Sequence, residues 1–285
     1  MANLIDGRQI SSQLKSRIKA KVKAADFQPG LAVILVGDDP ASKVYVNSKE
    51  KACQKAGFLS RKIVLDKDIS QQQLLEEVEK LNEDPKIHGI LVQLPLPDHL
   101  DEKIVIENID PKKDVDVFHP HNVGRLTLIK RLPPLDELLA PCTPKGIMRM
   151  LQETDVELEG KKAVVIGRSN LVGKPVALML TASSATVTVC HSRTKDLAAE
   201  AKRADILIAA VGRAEFVTAD MVKPGAVVID VGINRTDEGL VGDVDFEAVK
   251  QKAGHITPVP GGVGPMTIAC LLENTLLLAE KHHQS

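Results

Sequence analysis

Short aliphatic and β-branched runs alternate along the chain with longer stretches whose apolar positions recur every three or four residues. The runs predict strands at 31–36, 61–65, 89–94, 163–167, 186–190, 206–211 and 226–231. The longer stretches predict helices at 7–24, 42–57, 70–82, 100–108, 144–154, 173–182, 194–203, 245–253 and 266–281. Strand–helix alternation with near-continuous apolar strands is the signature of parallel sheets covered on both faces. Thr143-Pro144 reads as an N-cap followed by a first helical residue, and Pro265 opens the last helix in the same way. Residues 109–142 break the alternation. Proline recurs there (Pro111, Pro120, Pro133, Pro134, Pro141) and periodic positions are few, so the stretch predicts long loops leading to a domain boundary near 140.

Composition narrows the class. At 285 residues the chain suits two domains, each large enough for its own core. Lys and Arg number 37 against 38 Asp and Glu, for a net charge of −1, and the aromatic set is five Phe and one Tyr with no Trp. A dedicated nucleic-acid binder shows a basic excess and stacking platforms, so no nucleic-acid partner is expected. The longest apolar runs, such as Leu31 to Val36, fall far short of a membrane span, and no basic-then-apolar leader opens the chain. Cys53, Cys142, Cys190 and Cys270 are scattered with no C-x-x-C, which predicts reduced thiols and a cytoplasmic setting. His119 and His121 form an H-x-H but have no carboxylate or Cys at ligand spacing, so no metal site is expected.

The candidate chemistry lies in two places. Lys161 to Gly167 is a strand ending in glycine, followed by Arg168-Ser169-Asn170-Leu171-Val172-Gly173 and a helix. Such a turn aims amides and a helix N-terminus at an anion, and it is also an ordinary structural βα turn. The spelling is G-x-S-x-x-x-G, so Ser169 stands where a middle glycine would let a pyrophosphate approach the backbone. The next strand ends Cys190-His191-Ser192-Arg193, without the acid that holds a ribose hydroxyl in NAD sites. Arg168, Ser192 and Arg193 offer positive charge and a hydroxyl instead, which points to NADP. Gly212 and Gly232 follow two further strands and would let backbone approach a flat ring.

In the first half, Tyr45 lies four residues before Lys49, so the two share a helix face. A ring beside an ammonium can stack a heterocycle and move a proton, while Lys43, Lys49, Lys51 and Lys55 also read as a solvated basic face. Gln93 is a lone amide near the end of an apolar strand and needs partners. Asp114 and Asp116 sit at i and i+2 in an extended segment and so point the same way; one could bind an amino-pyrimidine edge, and loop capping is the other reading. Pro260-Gly261-Gly262-Val263-Gly264-Pro265 has little side-chain bulk and can press backbone against a ligand.

Taken together, these strings resemble the bifunctional methylenetetrahydrofolate dehydrogenase / methenyltetrahydrofolate cyclohydrolase family. The matching motifs are Tyr45-Val46-x-x-Lys49, Gly89 to Pro97, Lys113 to Asp116, Pro141 to Gly146, Gly167-Arg168-Ser169-x-x-Val172-Gly173-x-Pro175 and Pro260 to Thr267, in family order over nearly the whole chain. The resemblance implies an α/β fold of two domains with a cleft between. Residues 1–140 would form the folate domain, with helix 266–285 packed back on it, and 141–265 a Rossmann-like NADP-binding domain through which the protein is a homodimer. It implies oxidation of 5,10-methylenetetrahydrofolate with NADP⁺, then hydrolysis to 10-formyltetrahydrofolate, within the one-carbon metabolism that serves purine biosynthesis. Tyr45 would stack the pterin, Asp116 would bind its amino-pyrimidine edge, and Lys49, held by Gln93, would manage the proton transfers. Further folate contacts would come from Val46, Asn47, Ser48, Val92, Leu94, Pro260, Gly261, Gly262, Val263 and Gly264; Gly167, Arg168, Ser169, Ser192 and Ile233 would bind NADP. One departure stands out: the family reads D-V-D-G where this chain reads Asp114-Val115-Asp116-Val117. If that glycine holds a positive φ, valine must rearrange the Asp116 loop.

Overall fold

The computed structural model describes residues 1–237 and 239–284, without the side chain of Ala41. In chain order the elements are β1 Asn3–Leu4, α1 Gly7–Ala24, β2 Gly30–Val36, α2 Pro40–Ala56, β3 Leu59–Leu65, α3 Gln71–Glu83, β4 Gly89–Val92, α4 Glu102–Asn108, α5 Pro120–Thr127 and α6 Cys142–Gln152. There follow β5 Lys162–Ile166, α7 Gly173–Ala182, β6 Thr186–Cys190, α8 Leu197–Lys202, β7 Ile206–Ala209, β8 Val227–Asp230, β9 Asn234–Thr236, β10 Gly239–Val241, α9 Phe246–Lys250, β11 His255–Ile256 and α10 Val263–His283. They fall into two compact units. One comprises Gln13–Arg125, Asp136–Ala140 and the chain from Ile268 onward; the other comprises Met1–Ser12, Leu126–Leu135 and Pro141–Thr267.

The first unit is built on a parallel sheet in the order β3-β2-β4. Every residue of β2 is buried, as an apolar central strand covered on both faces requires. Ala32, Ile34 and Val36 pack with Leu74, Val78 and Leu81 of α3 and Val105 of α4. Helix ends here follow their local chemistry. The Asp39 carboxylate accepts from Ser42 N at 2.7 Å ahead of Pro40, and Gly57 closes α2 at φ 84°. Ser70 and Gln73 form a reciprocal capping box on α3. From Ala269 to Ala279 every residue of α10 is buried. Its Asn274 Nδ2 donates to Val115 O at 2.9 Å and to Ala140 O at 2.8 Å. By length and apolar composition α10 could cross a membrane, which the short apolar runs of the sequence did not suggest; burial within the protein accounts for that composition.

The second unit carries a six-stranded parallel sheet in the order β1-β11-β8-β7-β5-β6, plus the antiparallel hairpin β9–β10. Its core joins Val164, Ile166, Leu207, Ala209, Val228 and Ile256 to residues of α8 and α9. Each of the seven predicted strands is present within about three residues of its expected ends. Three expectations need correcting. The stretch 109–142 is not all loop, because α5 starts at Pro120, whose missing N–H costs nothing at a first helical position. Helix α2 begins at Pro40 rather than 42, set by the Asp39 cap. The two-residue strands β1 and β11 and the β9–β10 hairpin went unpredicted, being too short to show a period.

Val117 is a further correction and the most physical. Valine takes the left-handed backbone here: Val117 adopts φ 61° with its side chain fully buried. A β-branched residue in the left-handed region costs on the order of 1–3 kcal/mol, against about 1.5–3 kcal/mol from burying a valine. Val117 thus holds a backbone that favours glycine, and valine packing offsets the strain. Val117→Ala loses packing and keeps most of the strain, whereas Val117→Gly loses similar packing and relieves it. Elsewhere Ala→Gly costs stability; here we expect Val117→Gly to unfold at a higher temperature than Val117→Ala, by about 1 kcal/mol. Thermal unfolding of the two variants checks the order, and a more stable alanine variant refutes the account.

His88 predicts an acid limb to the stability curve. Its buried ring accepts a hydrogen bond at Nδ1 from Gly30 N at 3.0 Å and lies near His282 and His283 of α10, 5.4 and 5.5 Å between ring centroids. Burial, then the charges of His282, His283 and Lys113, push it down to about 4. The unfolded chain therefore takes up a proton at higher pH than the folded one. This contribution to stability is complete above the ordinary value of 6.5 and is lost as the pH falls towards 4. His88→Gln keeps an acceptor but does not titrate, so its unfolding midpoint should fall less over that range than the parent's.

Candidate active site

In the first unit, α2 and the end of β4 bring together the residues the sequence singled out. Tyr45 is 44% exposed on α2. One turn on, the half-buried Lys49 donates from Nζ to Gln93 Oε1 at 2.9 Å. Gln93 follows directly on β4. Its backbone N donates to Ile34 O, and its Nε2 donates to Leu94 O at 2.7 Å. The amide is thereby oriented: its NH₂ is held by backbone and its oxygen is presented to the ammonium. Neighbouring side chains are already engaged. Val46 is buried, Asn47 accepts from Lys62 at 3.1 Å, and the Ser48 hydroxyl donates back to Val44 O at 2.8 Å. Val92 is buried, and the half-buried Leu94 packs on the core of the unit.

Asp114 and Asp116 do not do the same work, contrary to their spacing. Asp114 is buried and accepts from Val117 N at 2.9 Å, Phe118 N at 3.3 Å, His119 N at 2.9 Å and Asn122 Nδ2 at 2.9 Å. It ties the loop to the start of α5 and leaves Asp116 as the half-buried acid of the pair. A bridge from Asp114 to Ile90 lays this segment alongside β4. The buried Lys113 donates to Leu81 O at 3.0 Å and Asp84 O at 2.8 Å, and burial lowers its pKa. His119 accepts from His121 N at 3.0 Å through Nδ1, so the H-x-H serves the first turn of α5.

In the second unit, Gly167 ends β5 at φ 126°, where a Cβ would lie 2.1 Å from Ala210 O. At Gly173 a Cβ would lie 2.3 Å from Gly167 O. Glycine is thus required at both ends of the turn. The Ser169 hydroxyl accepts from Val172 N at 3.1 Å and Gly173 N at 3.3 Å, so it braces the turn that leads into α7 rather than merely filling a glycine position. Arg168 and Ser169 are exposed, as are Ser192 and Arg193 just beyond β6. Ile233 is exposed beyond β8, and a Cβ on Gly264 would lie 3.7 Å from its Cδ1. The loop Pro260 to Val263 is pinned to the start of α1: Arg8 N donates to Gly261 O at 3.1 Å, and a Cβ on Gly7 would lie 1.8 Å from Gly262 O.

Sequence reading missed two carboxylates. Asp230 and Asp243 are both buried. Asp230 accepts from Gly232 N at 2.9 Å, Asp243 N at 2.8 Å and Val244 N at 3.0 Å. Burial drives its pKa up to about 7, against those three amides, and the neighbouring Asp243 charge adds to the rise. The one available signal was an acid closing an otherwise apolar strand, Val-Val-Ile-Asp.

Comparison with known proteins places the chain. Residues 5–116 match the model of the tetrahydrofolate dehydrogenase/cyclohydrolase catalytic domain, and residues 141–283 match that of its NAD(P)-binding domain. Bifunctional protein FolD of Moorella thermoacetica is 58% identical over 98% of this chain and 99% of its own length. The bifunctional FolD methylenetetrahydrofolate dehydrogenase/cyclohydrolase of Campylobacter jejuni is 50% identical and superposes with a TM-score of 0.93, covering 99% of each chain. The Trypanosoma brucei dehydrogenase-cyclohydrolase, solved with NADP cofactor and an inhibitor, is 38% identical with a TM-score of 0.94, covering 100% of this chain and 99% of its own. The chain belongs to the tetrahydrofolate dehydrogenase/cyclohydrolase family.

Proposed function

We propose that this protein oxidises 5,10-methylenetetrahydrofolate to 5,10-methenyltetrahydrofolate with NADP⁺, then adds water and opens the ring to give 10-formyltetrahydrofolate. The observation that carries the reading is the hydrogen bond from Lys49 to Gln93 at 2.9 Å, one helical turn from the exposed Tyr45. A binding module has no use for an ammonium held in place by an oriented amide.

The NADP side is supported by the glycine-bounded turn after β5, where any side chain on Gly167 would strike Ala210 O. The exposed Arg168, Ser192 and Arg193, with no acid ending β6, suit a 2′-phosphate. When bound, NADP⁺ supplies the two-electron acceptor for the methylene carbon. The chain's own residues bind and orient the folate and move protons. The Tyr45 ring stacks on the pterin. The Asp116 carboxylate accepts from its amino-pyrimidine edge. In the second reaction water attacks the methenyl carbon, its oxygen gives up both protons as the formyl C=O forms, one of them ends on the departing ring nitrogen, and the other is released to solvent. Lys49 Nζ is the group that carries these protons, and Gln93 holds it in place. The product feeds one-carbon metabolism and purine biosynthesis. The protein acts in the cytoplasm, as a homodimer through the unit that carries the NADP residues.

Two expectations follow. Lys49→Met keeps the packing but removes the group that moves protons. Since general acid–base catalysis contributes about 10²–10⁴-fold, cyclohydrolase activity should fall by about 100-fold or more while dehydrogenase activity falls much less, and methenyltetrahydrofolate should accumulate. Tyr45→Ala should weaken both reactions. Separate assays decide; parental cyclohydrolase activity in Lys49→Met would make Lys49 one more solvated lysine.

Arg168→Ala should raise KM for NADP⁺ and leave that for NAD⁺ little changed. An arginine–phosphate contact is charge-assisted and bidentate, and only NADP⁺ presents the 2′-phosphate. If the parent enzyme uses NAD⁺ with equal or better kcat/KM, the assignment fails.

A further inference from the structure

We propose that Asp243 is a positioning residue for the nicotinamide half of NADP, acting through the loops that leave β7 and β8. This rests on the reading of the second unit as the NADP-binding one. Three consecutive amides beyond β7 converge on the Asp243 carboxylate: Val211 N at 2.6 Å and Gly212 N at 2.9 Å on Oδ2, and Arg213 N at 2.9 Å on Oδ1. Oδ1 also accepts from Asn234 Nδ2 at 3.0 Å, which ties in the segment beyond β8. Asp243 is itself held, because its backbone N donates to Asp230 Oδ1 at 2.8 Å and its carbonyl accepts from Val217 N at 2.9 Å. It is fully buried. A run of successive amides is a ready anion-binding concavity, and here the protein fills it with its own carboxylate.

The surroundings are shaped to that carboxylate. A Cβ on Gly232 would lie 2.3 Å from Asp243 Oδ1, and one on Gly242 would lie 1.8 Å from Asp230 Oδ2. Both glycines are therefore required by the two acids. The placement gives the arrangement its role. Strand order runs β6-β5-β7-β8, so β5-α7-β6, with Arg168 and Ser192 at its turns, is one mononucleotide half. Dinucleotides lie across the carboxyl ends of such sheets with the halves on either side of the first strand. The loops after β7 and β8 accordingly face the second half, the nicotinamide end, and the buried Asp243 ties both of them, one through three amides and the other through Asn234.

The test separates the two halves of the cofactor. Asp243→Asn keeps the size but turns an NH₂ towards one of the amides it should accept from. The variant should raise KM for NADP⁺ by about tenfold or more, the worth of a charge-assisted hydrogen bond. Binding of 2′,5′-ADP, which probes only the Arg168 and Ser192 side, should be unchanged, as should hydrolysis of methenyltetrahydrofolate without nucleotide. Asn234→Ala removes one donor to the same carboxylate and should shift KM the same way by a smaller factor; it carries the test if Asp243→Asn does not fold. An unchanged KM for NADP⁺ overturns the proposal. So does a parallel loss of 2′,5′-ADP binding and cyclohydrolase activity, which marks general structural damage. If the parent binds neither NADP⁺ nor 2′,5′-ADP, the underlying NADP reading fails, a result distinct from either.

Discussion

Parallel strands buried on both faces must end somewhere, and the loops that leave them carry amides that still need acceptors. Three buried carboxylates meet that need. Asp114 gathers the amides of Val117, Phe118 and His119 beside β4. Asp230 and Asp243 gather six amides, three each: Val211, Gly212 and Arg213 beyond β7, Gly232 beyond β8, and Asp243 and Val244 beyond β10. Leaving one buried amide unpaired costs about 1–3 kcal/mol, so these acids decide whether the loops at the carboxyl edges are ordered at all. Functional side chains on those loops inherit their positions from them.

The two units solve the same problem with different costs. Around Asp114 the acid stays well partnered, and the expense falls on Val117, which holds a left-handed backbone so that its amide can reach the carboxylate. In the other unit Gly232 and Gly242 leave the room that the two acids occupy, and the expense falls on Asp230, whose burial resists ionisation. Strain in one place and a buried charge in the other both hold a loop still, which is what a site needs when its substrate is large and flat and its reacting atoms must be aligned.

The Lys49 site shows economy of a different kind. Helix α2 supplies the ring and the ammonium from one face, and β4 supplies the amide that orients the ammonium. Gln93 is fixed by its own backbone pairing to β2 and by the carbonyl of the next residue. The Gln93 oxygen is thus set by the sheet, and the lysine is set by Gln93. Residues between Tyr45 and Lys49 serve the helix: Val46 packs inward and Ser48 bonds back to the preceding turn.

Much of this was legible in the chain itself. Periodicity alone placed the seven longer strands and most helices, because an apolar run or a three-to-four spacing states directly which face is buried. The Tyr45–Lys49 face and the glycine turn after β5 also follow from local spacing, and the family motifs carried the chemistry. Other features were decided only by tertiary structure. The short strands β1 and β11 have no period of their own and exist because a neighbouring strand pairs with them. Asp114 and Asp116 look equivalent in sequence, yet one is buried and accepts from the amides of Val117, Phe118 and His119 while the other is only half-buried. Val117 takes a glycine's backbone because packing around it compensates. Asp230 and Asp243 stand thirteen residues apart, and nothing local joins them. Pairings between distant segments depend on which backbone groups the fold leaves without partners, and a linear pattern of polar and apolar residues does not encode that.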